Sequence, residues 1–135
     1  PASHPRRAGW GVSAAGGPQL DAAAITALFR GEFPQALAMT IEHAEPGFAR
    51  IRRDVGTADL RPGGTISGPT LMALADMATY VALLAAVGAE LLAVTTHLGI
   101  DFLRKPAAGR ALVAEARLLK LGRRLAVAEV WIVSE

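Results

Sequence analysis

The feature that most constrains the fold is a long, almost uncharged segment in the middle of the chain. Thr70 to Val87 comprises 18 residues, of which only Asp76 carries a charge. Pro69 suits a first helical turn because its missing N–H costs no hydrogen bond there, and Ser67 can cap the helix. Gly88 is a typical stop. A helix that is apolar all round must be buried by other elements or by a membrane.

Segments with strand-like alternation on both sides of this helix favour burial by a sheet. A helix is predicted over Ala22–Arg30, capped by Asp21. A strand is predicted over residues 37–42, where Leu37, Met39 and Ile41 alternate with polar or small residues, and a return strand over Phe48–Val55. Three more strands are predicted over Val94–Phe102, Arg110–Leu121 and Leu125–Val133. The predicted fold is α+β, with an antiparallel sheet wrapped around a long central helix.

A membrane span is the alternative for the central helix. Its 18 residues lie at the lower edge of spanning length. The surrounding amphipathic strands and the lack of an anchoring Lys or Arg cluster argue against it. We therefore expect no membrane partner.

Length and composition exclude several protein classes. The 135 residues suit one domain, which we place at residues 20–135 after a flexible N-terminal segment over residues 1–19. The apolar fraction of 52% indicates self-association. The absence of cysteine rules out disulfides and thiolate metal sites, and no metal-ligand spacing occurs. The basic residues form only short pairs and the net charge is +2, so we expect no nucleic-acid partner.

Asp76 is the first candidate catalytic residue. An unpaired buried carboxylate is costly, so this side chain must face water, a partner or a reacting substrate. A glycine-rich loop, residues 59–69, leads into the same helix, and amides at a helix start can bind an oxyanion. Since Pro69 has no N–H, the candidate donors are Gly68 and Thr70. A carboxylate near such a donor suits ester or thioester hydrolysis, although a solvent-facing aspartate or an ion pair would explain Asp76 equally simply.

The sequence around this helix resembles the PaaI-like branch of the hotdog-fold thioesterases. Residues 64–78 read GTISGPTLMALADMA, and the family motif is roughly Gly-Thr-hydrophobic-His-Gly-Gly followed by a helix containing Leu-Ala-Asp. Asp76 lies nine positions after Ser67, the spacing between histidine and acid in the family. VTTHLGIDFLRKPAAGR (residues 94–110) and Leu-Gly-Arg (residues 121–123) also resemble family segments, so the resemblance extends from about Ala36 to the C-terminus.

The resemblance implies a function and an assembly. It implies an acyl-CoA thioesterase of the cytoplasm that needs no cofactor, coenzyme A being part of its substrate. Asp76 would be general base or nucleophile, and the Gly68 amide of a facing subunit would polarise the thioester carbonyl. Thr95 takes the place of a family Ser or Thr that holds the water or assists the acid, though it also suits a plain strand threonine. The assembly would be a homodimer or a dimer of dimers.

Three departures from the family pattern affect the site. Ser67-Gly68-Pro69 replaces His-Gly-Gly, which removes one N–H donor. Arg61 stands where relatives often carry Asn or Gln. Its guanidinium could clamp the carbonyl oxygen, or it could pair with Asp76 across the dimer and weaken that carboxylate as a base. Gly99 replaces a frequent asparagine and leaves more space.

Cations near the predicted strand ends are candidates for the phosphates of coenzyme A. They are Arg104 and Lys105 at one end, and Arg123 and Arg124 at another. Met72 and Tyr80, one turn on either side of Asp76, are candidates for the acyl pocket, with core packing as the simpler role for Met72.

The predicted function is hydrolysis of a small or medium acyl-CoA, or an aryl-CoA, to free acid and coenzyme A. The main alternative is a non-catalytic module that binds acyl-CoA or an acyl carrier, with Arg61 pairing to Asp76. A hotdog dehydratase or hydratase would need a histidine paired with an acid, and His97 is poorly placed for that role.

Overall fold

The computed structural model describes residues 19–135. In that range the helices are α1 (Ala22–Glu32) and α2 (Gly68–Val87), and the strands are β1 (Thr40–Glu45), β2 (Phe48–Arg53), β3 (Leu60–Arg61), β4 (Thr65–Ile66), β5 (Leu112–Leu121) and β6 (Ala126–Ser134). Short 3-10 helices cover Pro34–Ala38 and Thr57–Asp59. Apart from Gln19, the predicted flexible segment over residues 1–19 lies outside the described residues.

The four long strands form one antiparallel sheet in the order β1-β2-β5-β6, while β3 and β4 pair separately as a small hairpin. The register places Ile51 opposite Ala114, and Ala114 opposite Ile132. These side chains face α2, which packs against all four strands of the sheet. The predicted α+β architecture, an antiparallel sheet around a long central helix, is confirmed.

The predicted boundaries of α2 are confirmed by its caps. The Ser67 side chain accepts a hydrogen bond from the Thr70 amide, and Gly88 closes the last turn at a φ of 90° with its amide donating to the Leu84 carbonyl. The buried side chains of α2 are short or aliphatic: Thr70, Leu71, Leu74, Ala75, Ala78, Val81, Ala82, Leu84, Ala85 and Ala86. By length and composition α2 could cross a membrane, as many core helices could, and 56% of its apolar window is buried in the protein.

Helix α1 begins as predicted, because the Asp21 carboxylate accepts a hydrogen bond of 2.8 Å from the Ala24 amide. Its buried residues are Ile25 and Phe29. The Phe29 ring stacks on Tyr80 of α2 with centroids 5.9 Å apart. This contact fixes α1 beside the C-terminal half of α2.

The first predicted strand begins later in the structure than the alternation indicated. Pro34–Ala38 is a 3-10 helix, and β1 starts only at Thr40. Pro34 stands at the start of that turn, where its fixed φ favours a helical conformation. Leu37, expected on the buried face of the strand, is 41% exposed.

The prediction of a strand over Val94–Phe102 is wrong. Besides the pairings between the strands named above, the only bridge in the described chain joins Thr65 of β4 to Ala107. β6 pairs with β5 alone within residues 19–135, so its outer edge has no strand beside it. An alternating pattern indicates that a segment suits a pleated surface with one buried face. The segment forms a strand only where a neighbouring strand provides hydrogen bonds and other residues cover that face. Val94 has neither, since 82% of it is exposed.

The segment over residues 91–102 lies along α2 instead. The Tyr80 hydroxyl donates to the Leu91 carbonyl at 2.8 Å, and the Thr95 hydroxyl donates to the Asp76 carboxylate. Further along, the Phe102 ring packs against Gly68. The segment therefore runs antiparallel to α2 over its exposed side.

The sheet face opposite α2 carries an ion network centred on Arg50. Its guanidinium donates to Glu42, Glu115 and Glu135 at 2.8 Å each, and Arg52 also donates to Glu135, at 2.6 Å. The hydrogen bond with Glu42 is the main cause that raises the pKa of Arg50. These half-exposed pairs join β1, β2, β5 and Glu135.

Candidate active site

Asp76 lies on the only stripe of α2 that the sheet leaves uncovered. Pro69, Met72, Ala73 and Asp76 are the exposed residues of this helix. Because they lie three or four positions apart, they share one face, on which Asp76 is the single charged group. The buried ion pair considered for Asp76 is not present within residues 19–135.

Thr95 and Asp76, predicted to act together, are in contact. The Thr95 hydroxyl donates a hydrogen bond to Asp76 Oδ1. Thr95 reaches the helix because the 91–102 segment crosses it and is held at its beginning by Tyr80. The structure thus places a hydroxyl beside a water-accessible carboxylate on an otherwise apolar surface.

The start of α2 leaves one amide free. The Thr70 amide is directed at Ser67 Oγ at 3.4 Å, the Leu71 amide is directed at the Ser67 carbonyl, and Pro69 has no N–H. Gly68 is the first helical residue, so its amide has no acceptor within the helix. It forms no hydrogen bond with any described residue. Of the two predicted donors, Gly68 is therefore the available one.

The amide of Gly68 and the carboxylate of Asp76 are too far apart to act on one carbonyl group within a single chain. They are eight positions apart on a straight run of helix, which corresponds to a rise of about 12 Å. A reacting carbonyl has to lie about 3 Å from both the base-activated nucleophile and the oxyanion donor. Within one chain, these two groups therefore do not reach the same carbonyl group.

Phe102 is a site residue that the sequence did not single out. A Cβ added to Gly68 would lie 3.3 Å from Cζ of this ring. The ring covers one side of the helix start and is itself 57% exposed. Its contact explains why the smallest residue suits position 68. No sequence signal pointed to this contact, because Phe102 belonged to a predicted strand.

Asp59 is a second residue that sequence reasoning missed. It is 7% exposed, and its carboxylate accepts hydrogen bonds from Arg53 at 2.6 Å, the Gly56 amide at 3.0 Å and the Thr70 hydroxyl at 3.1 Å. Its backbone carbonyl accepts from the Ser67 amide at 2.7 Å. The Gly56 amide, followed by Arg53 and Thr70, holds the pKa of Asp59 below its usual value. The only sequence signal was an acidic residue at the head of the glycine-rich loop.

Arg61, predicted near the reacting carbonyl, lies on the β3–β4 hairpin opposite Thr65. It is exposed and forms no ion pair with any carboxylate in residues 19–135. The pairing between Arg61 and Asp76 considered from the sequence is thus not made within the chain. Contact between them in a dimer stays a prediction.

The predicted acyl-pocket residues differ in their surroundings. Met72 is exposed on the same stripe as Asp76, one turn nearer the helix start. Tyr80 is half-buried, stacks on Phe29 and donates to the Leu91 carbonyl, and burial raises the pKa of its hydroxyl. Tyr80 therefore holds the 91–102 segment in place, and its role in an acyl pocket stays a prediction.

The four predicted coenzyme A ligands are all exposed. Arg104 and Lys105 follow the 91–102 segment, and Arg123 and Arg124 occupy the turn between β5 and β6. None of them forms an ion pair with another described residue. His97 and Gly99 are likewise exposed. Among residues 19–135 no group of three or more His, Cys, Asp or Glu is arranged to hold a metal ion.

Comparison with known proteins identifies the family. The sequence profile described as "Thioesterase superfamily" matches residues 63–135. A protein from Silicibacter sp. TM1040, provisionally named a thioesterase, shares 45% sequence identity over 86% of this chain and 81% of its own, with a TM-score of 0.77. The Escherichia coli PaaI protein, from the phenylacetic acid degradation operon, shares 30% identity over 82% and 83% of the two chains, with a TM-score of 0.69.

A hypothetical thioesterase of Streptococcus pneumoniae TIGR4, whose structure contains coenzyme A, shares the fold at 22% identity, covering 82% of this chain and 84% of its own, with a TM-score of 0.66. No curated protein gave a significant match. The predicted resemblance to PaaI-like hotdog thioesterases is confirmed by the profile and by the Silicibacter and Escherichia coli structures. The chain belongs to the thioesterase superfamily and is a thioester hydrolase with the hotdog fold.

Proposed function

We propose that this thioester hydrolase cleaves a small or medium acyl-CoA, or an aryl-CoA, to the free acid and coenzyme A. The observation that carries the proposal is the Asp76 carboxylate, exposed on an apolar stripe of α2 and hydrogen-bonded to Thr95. Such a carboxylate can activate a water molecule next to a thioester whose acyl chain lies on the apolar stripe. Met72 on that stripe would contact the acyl chain.

The geometry supports a simple hydrolytic mechanism. Asp76 accepts a proton from water while the water oxygen attacks the thioester carbonyl carbon. The Gly68 amide stabilises the oxyanion, the C–S bond breaks, and the coenzyme A thiolate leaves and takes up a proton. Thr95 holds the carboxylate or the water in position. No cofactor is required in this scheme, because coenzyme A enters as part of the substrate.

Asp76 could instead attack the carbonyl directly and form an anhydride that water then opens. Single-turnover hydrolysis in ¹⁸O-water distinguishes the two routes. Attack by water places the first ¹⁸O in the released acid. Attack by Asp76 allows the label to enter the Asp76 carboxylate, which mass spectrometry of the protein would detect.

The proposal includes a homodimer, or a dimer of dimers, in which facing copies complete each other's sites. It rests on the separation of about 12 Å between the Gly68 and Asp76 positions on one helix. Large apolar side chains are also exposed on the 91–102 segment and on β6, among them Leu92 and Val133. Sedimentation equilibrium should show a dimer or tetramer, and a monomer that hydrolyses acyl-CoA would contradict this assembly.

Arg104, Lys105, Arg123 and Arg124 are the proposed ligands for the phosphates of coenzyme A. Their support is exposure without an ion partner in the described chain, and the coenzyme A found in the Streptococcus pneumoniae neighbour. Replacing any one of them with Glu should raise KM, because a carboxylate repels the phosphates, and should leave kcat nearly unchanged.

The test of the function is a thiol-release assay over a panel of acyl-CoA and aryl-CoA esters. We expect turnover of at least one ester, and we expect Asp76→Asn and Asp76→Ala to lower its rate by about 10²-fold or more. Thr95→Ser should retain more activity than Thr95→Val, because serine keeps the hydroxyl. If both Asp76 variants kept the wild-type rate, Asp76 would not be the catalytic group.

The alternative is a module that binds acyl-CoA or an acyl carrier without turnover. The specific observation in its favour is Arg61, an exposed cation without an ion partner in the described chain, where a facing copy could offer Asp76. Tight binding of acyl-CoA without thiol release would support it. In that case Arg61→Gln, by releasing Asp76, should produce measurable hydrolysis.

A further inference from the structure

Asp59 and Thr70 are the two buried polar residues among those that the structure describes. Neither reaches the exposed stripe of α2, so neither can touch the substrate directly. Burying a charged group is costly unless the group is paired and hydrogen-bonded. Asp59 is paired with donors from three directions: Arg53 on β2, the Gly56 amide in the loop and the Thr70 hydroxyl on α2.

These bonds converge on the two residues that flank the Gly68-Pro69 step. Before the step, the Asp59 carbonyl accepts from the Ser67 amide at 2.7 Å. After it, the Asp59 carboxylate accepts from the Thr70 hydroxyl at 3.1 Å. The Ser67 and Thr70 hydroxyls are also 2.9 Å apart and hydrogen-bonded to each other. The backbone is thus fixed on both sides of the Gly68 amide by one residue.

The pairing with Arg53 connects this arrangement to the sheet. Arg53 lies at the end of β2, opposite Leu112 of β5. Its bond of 2.6 Å to Asp59 is the shortest of the three that the carboxylate accepts. The Gly68 amide is therefore held in a fixed position relative to the sheet, although glycine and the loop before it have high intrinsic freedom.

We propose that Asp59, through Thr70 and Ser67, is a positioning residue that aims the Gly68 amide at the thioester oxygen. The proposal rests on the proposed function, because it assigns to Asp59 the alignment of the oxyanion donor of that mechanism. Arg53, Asp59 and Thr70 would then form a hydrogen-bonded unit that helps to set kcat, although none of the three touches the substrate.

Alignment matters because an oxyanion donor acts only over a narrow range. It must lie about 2.7–3.1 Å from the developing oxyanion, and complete removal of one such donor lowers kcat by about 10²–10³. Misalignment leaves the donor present but poorly directed, so we expect a loss of about 10–100-fold. KM should change little, since the groups that bind coenzyme A and the acyl chain lie elsewhere.

The experiment uses the full chain with Thr70→Val as the main variant. Valine keeps the branched shape of threonine in this buried position and removes only the hydroxyl that bonds Asp59 and Ser67. Thr70→Ser restores the hydroxyl and serves as the conservative rescue. Asp59→Asn is the second variant, and Glu115→Gln, which removes a carboxylate from an arginine on the opposite sheet face, is the matched control.

Two coenzyme A analogues separate alignment from general loss of structure. One is an S-alkyl thioether that lacks a carbonyl, and the other is a ketone of the same chain length in which a CH₂ group separates the carbonyl from sulfur. Only the ketone can accept a hydrogen bond from the Gly68 amide. The ratio of their dissociation constants, measured by calorimetry, therefore reports the direction of that amide.

We expect Thr70→Val and Asp59→Asn to lower kcat by about 10-fold or more at nearly constant KM. Both variants should also bind the ketone more weakly relative to the thioether than the wild type does. Thr70→Ser should recover most of the rate, and Glu115→Gln should resemble the wild type in both measurements. A Thr70→Val protein with wild-type kcat and an unchanged ratio would overturn the positioning role while leaving the thioesterase proposal intact. Failure of the wild type to hydrolyse any ester would overturn both.

Discussion

Replacing Asp59 with asparagine should destabilise the protein far more than removing a carboxylate from the sheet. Loss of one partner from a buried ion pair costs about 3–5 kcal/mol. Two observations place the cost of Asp59→Asn below that range: Arg53 keeps 22% of its side chain exposed, and an asparagine oxygen still accepts a hydrogen bond. We expect a loss of about 2–3 kcal/mol in the free energy of unfolding.

The pH dependence of this loss identifies its cause. The pKa of Asp59 is lower in the folded chain than the ordinary value of 3.8. A carboxyl of that kind stabilises the fold fully above its unfolded pKa, and the stabilisation is lost as pH falls through the lower folded pKa. The difference between wild type and Asp59→Asn should therefore be constant between about pH 7 and pH 5 and shrink below about pH 4.

Urea denaturation measures the difference in the free energy of unfolding between the wild type and Asp59→Asn at each pH. The protein concentration must be kept fixed because self-association also stabilises the fold. Glu115→Gln is the control, since Arg50 keeps Glu42 and Glu135 as partners, and its cost should stay below about 1 kcal/mol. A difference for Asp59→Asn that stayed the same from neutral pH to about pH 3 would show that the carboxylate charge is not the source of the stabilisation.

Three further perturbations test other parts of the structure. Asp76→Asn should lower kcat by about 10²–10⁴ in the thiol-release assay, while the melting temperature stays near that of the wild type because the side chain is exposed; a large drop in melting temperature would indicate a structural role. Tyr80→Phe keeps the stacking on Phe29 but removes the hydrogen bond to the Leu91 carbonyl. It should cost about 1 kcal/mol in urea denaturation and speed amide hydrogen exchange in the 91–102 segment, and unchanged exchange would contradict the anchoring role. Leu74→Ala, at a fully buried position of α2, should cost about 2–5 kcal/mol, and a smaller value would mean that α2 does not pack on the sheet as described.

The sequence predicted the elements whose signals are local. Ser67 and Gly88 act as the caps of α2, and Asp21 begins α1, because capping depends on residues within one turn of the chain. On β6 the predicted alternation is also found, with Trp131 outward and Ile132 packed against the core. The spacing of nine positions from Ser67 to Asp76 placed the acid about two turns into the helix that Ser67 caps.

What the sequence did not predict depends on distant contacts. The alternation over Val94–Phe102 could not reveal that no strand of residues 19–135 lies beside this segment. Asp59 could not be distinguished from a solvated loop residue, because its partner Arg53 comes from a strand and Thr70 from a helix. The pairing of Thr95 with Asp76 was inferred from the family and is made in the structure by a route along α2 that the predicted strand did not include.

The alanines on the sheet-facing side of α2 limit how this enzyme can evolve toward new substrates. Ala78, Ala82, Ala85 and Ala86 are fully buried, so a larger side chain at any of them would force the helix away from the strands. Changes in acyl preference are therefore confined to the uncovered stripe and to the segment that crosses it. Substitutions that change specificity should accumulate at Met72, Ala73 and Phe102, while the buried, sheet-facing side of α2 stays unchanged.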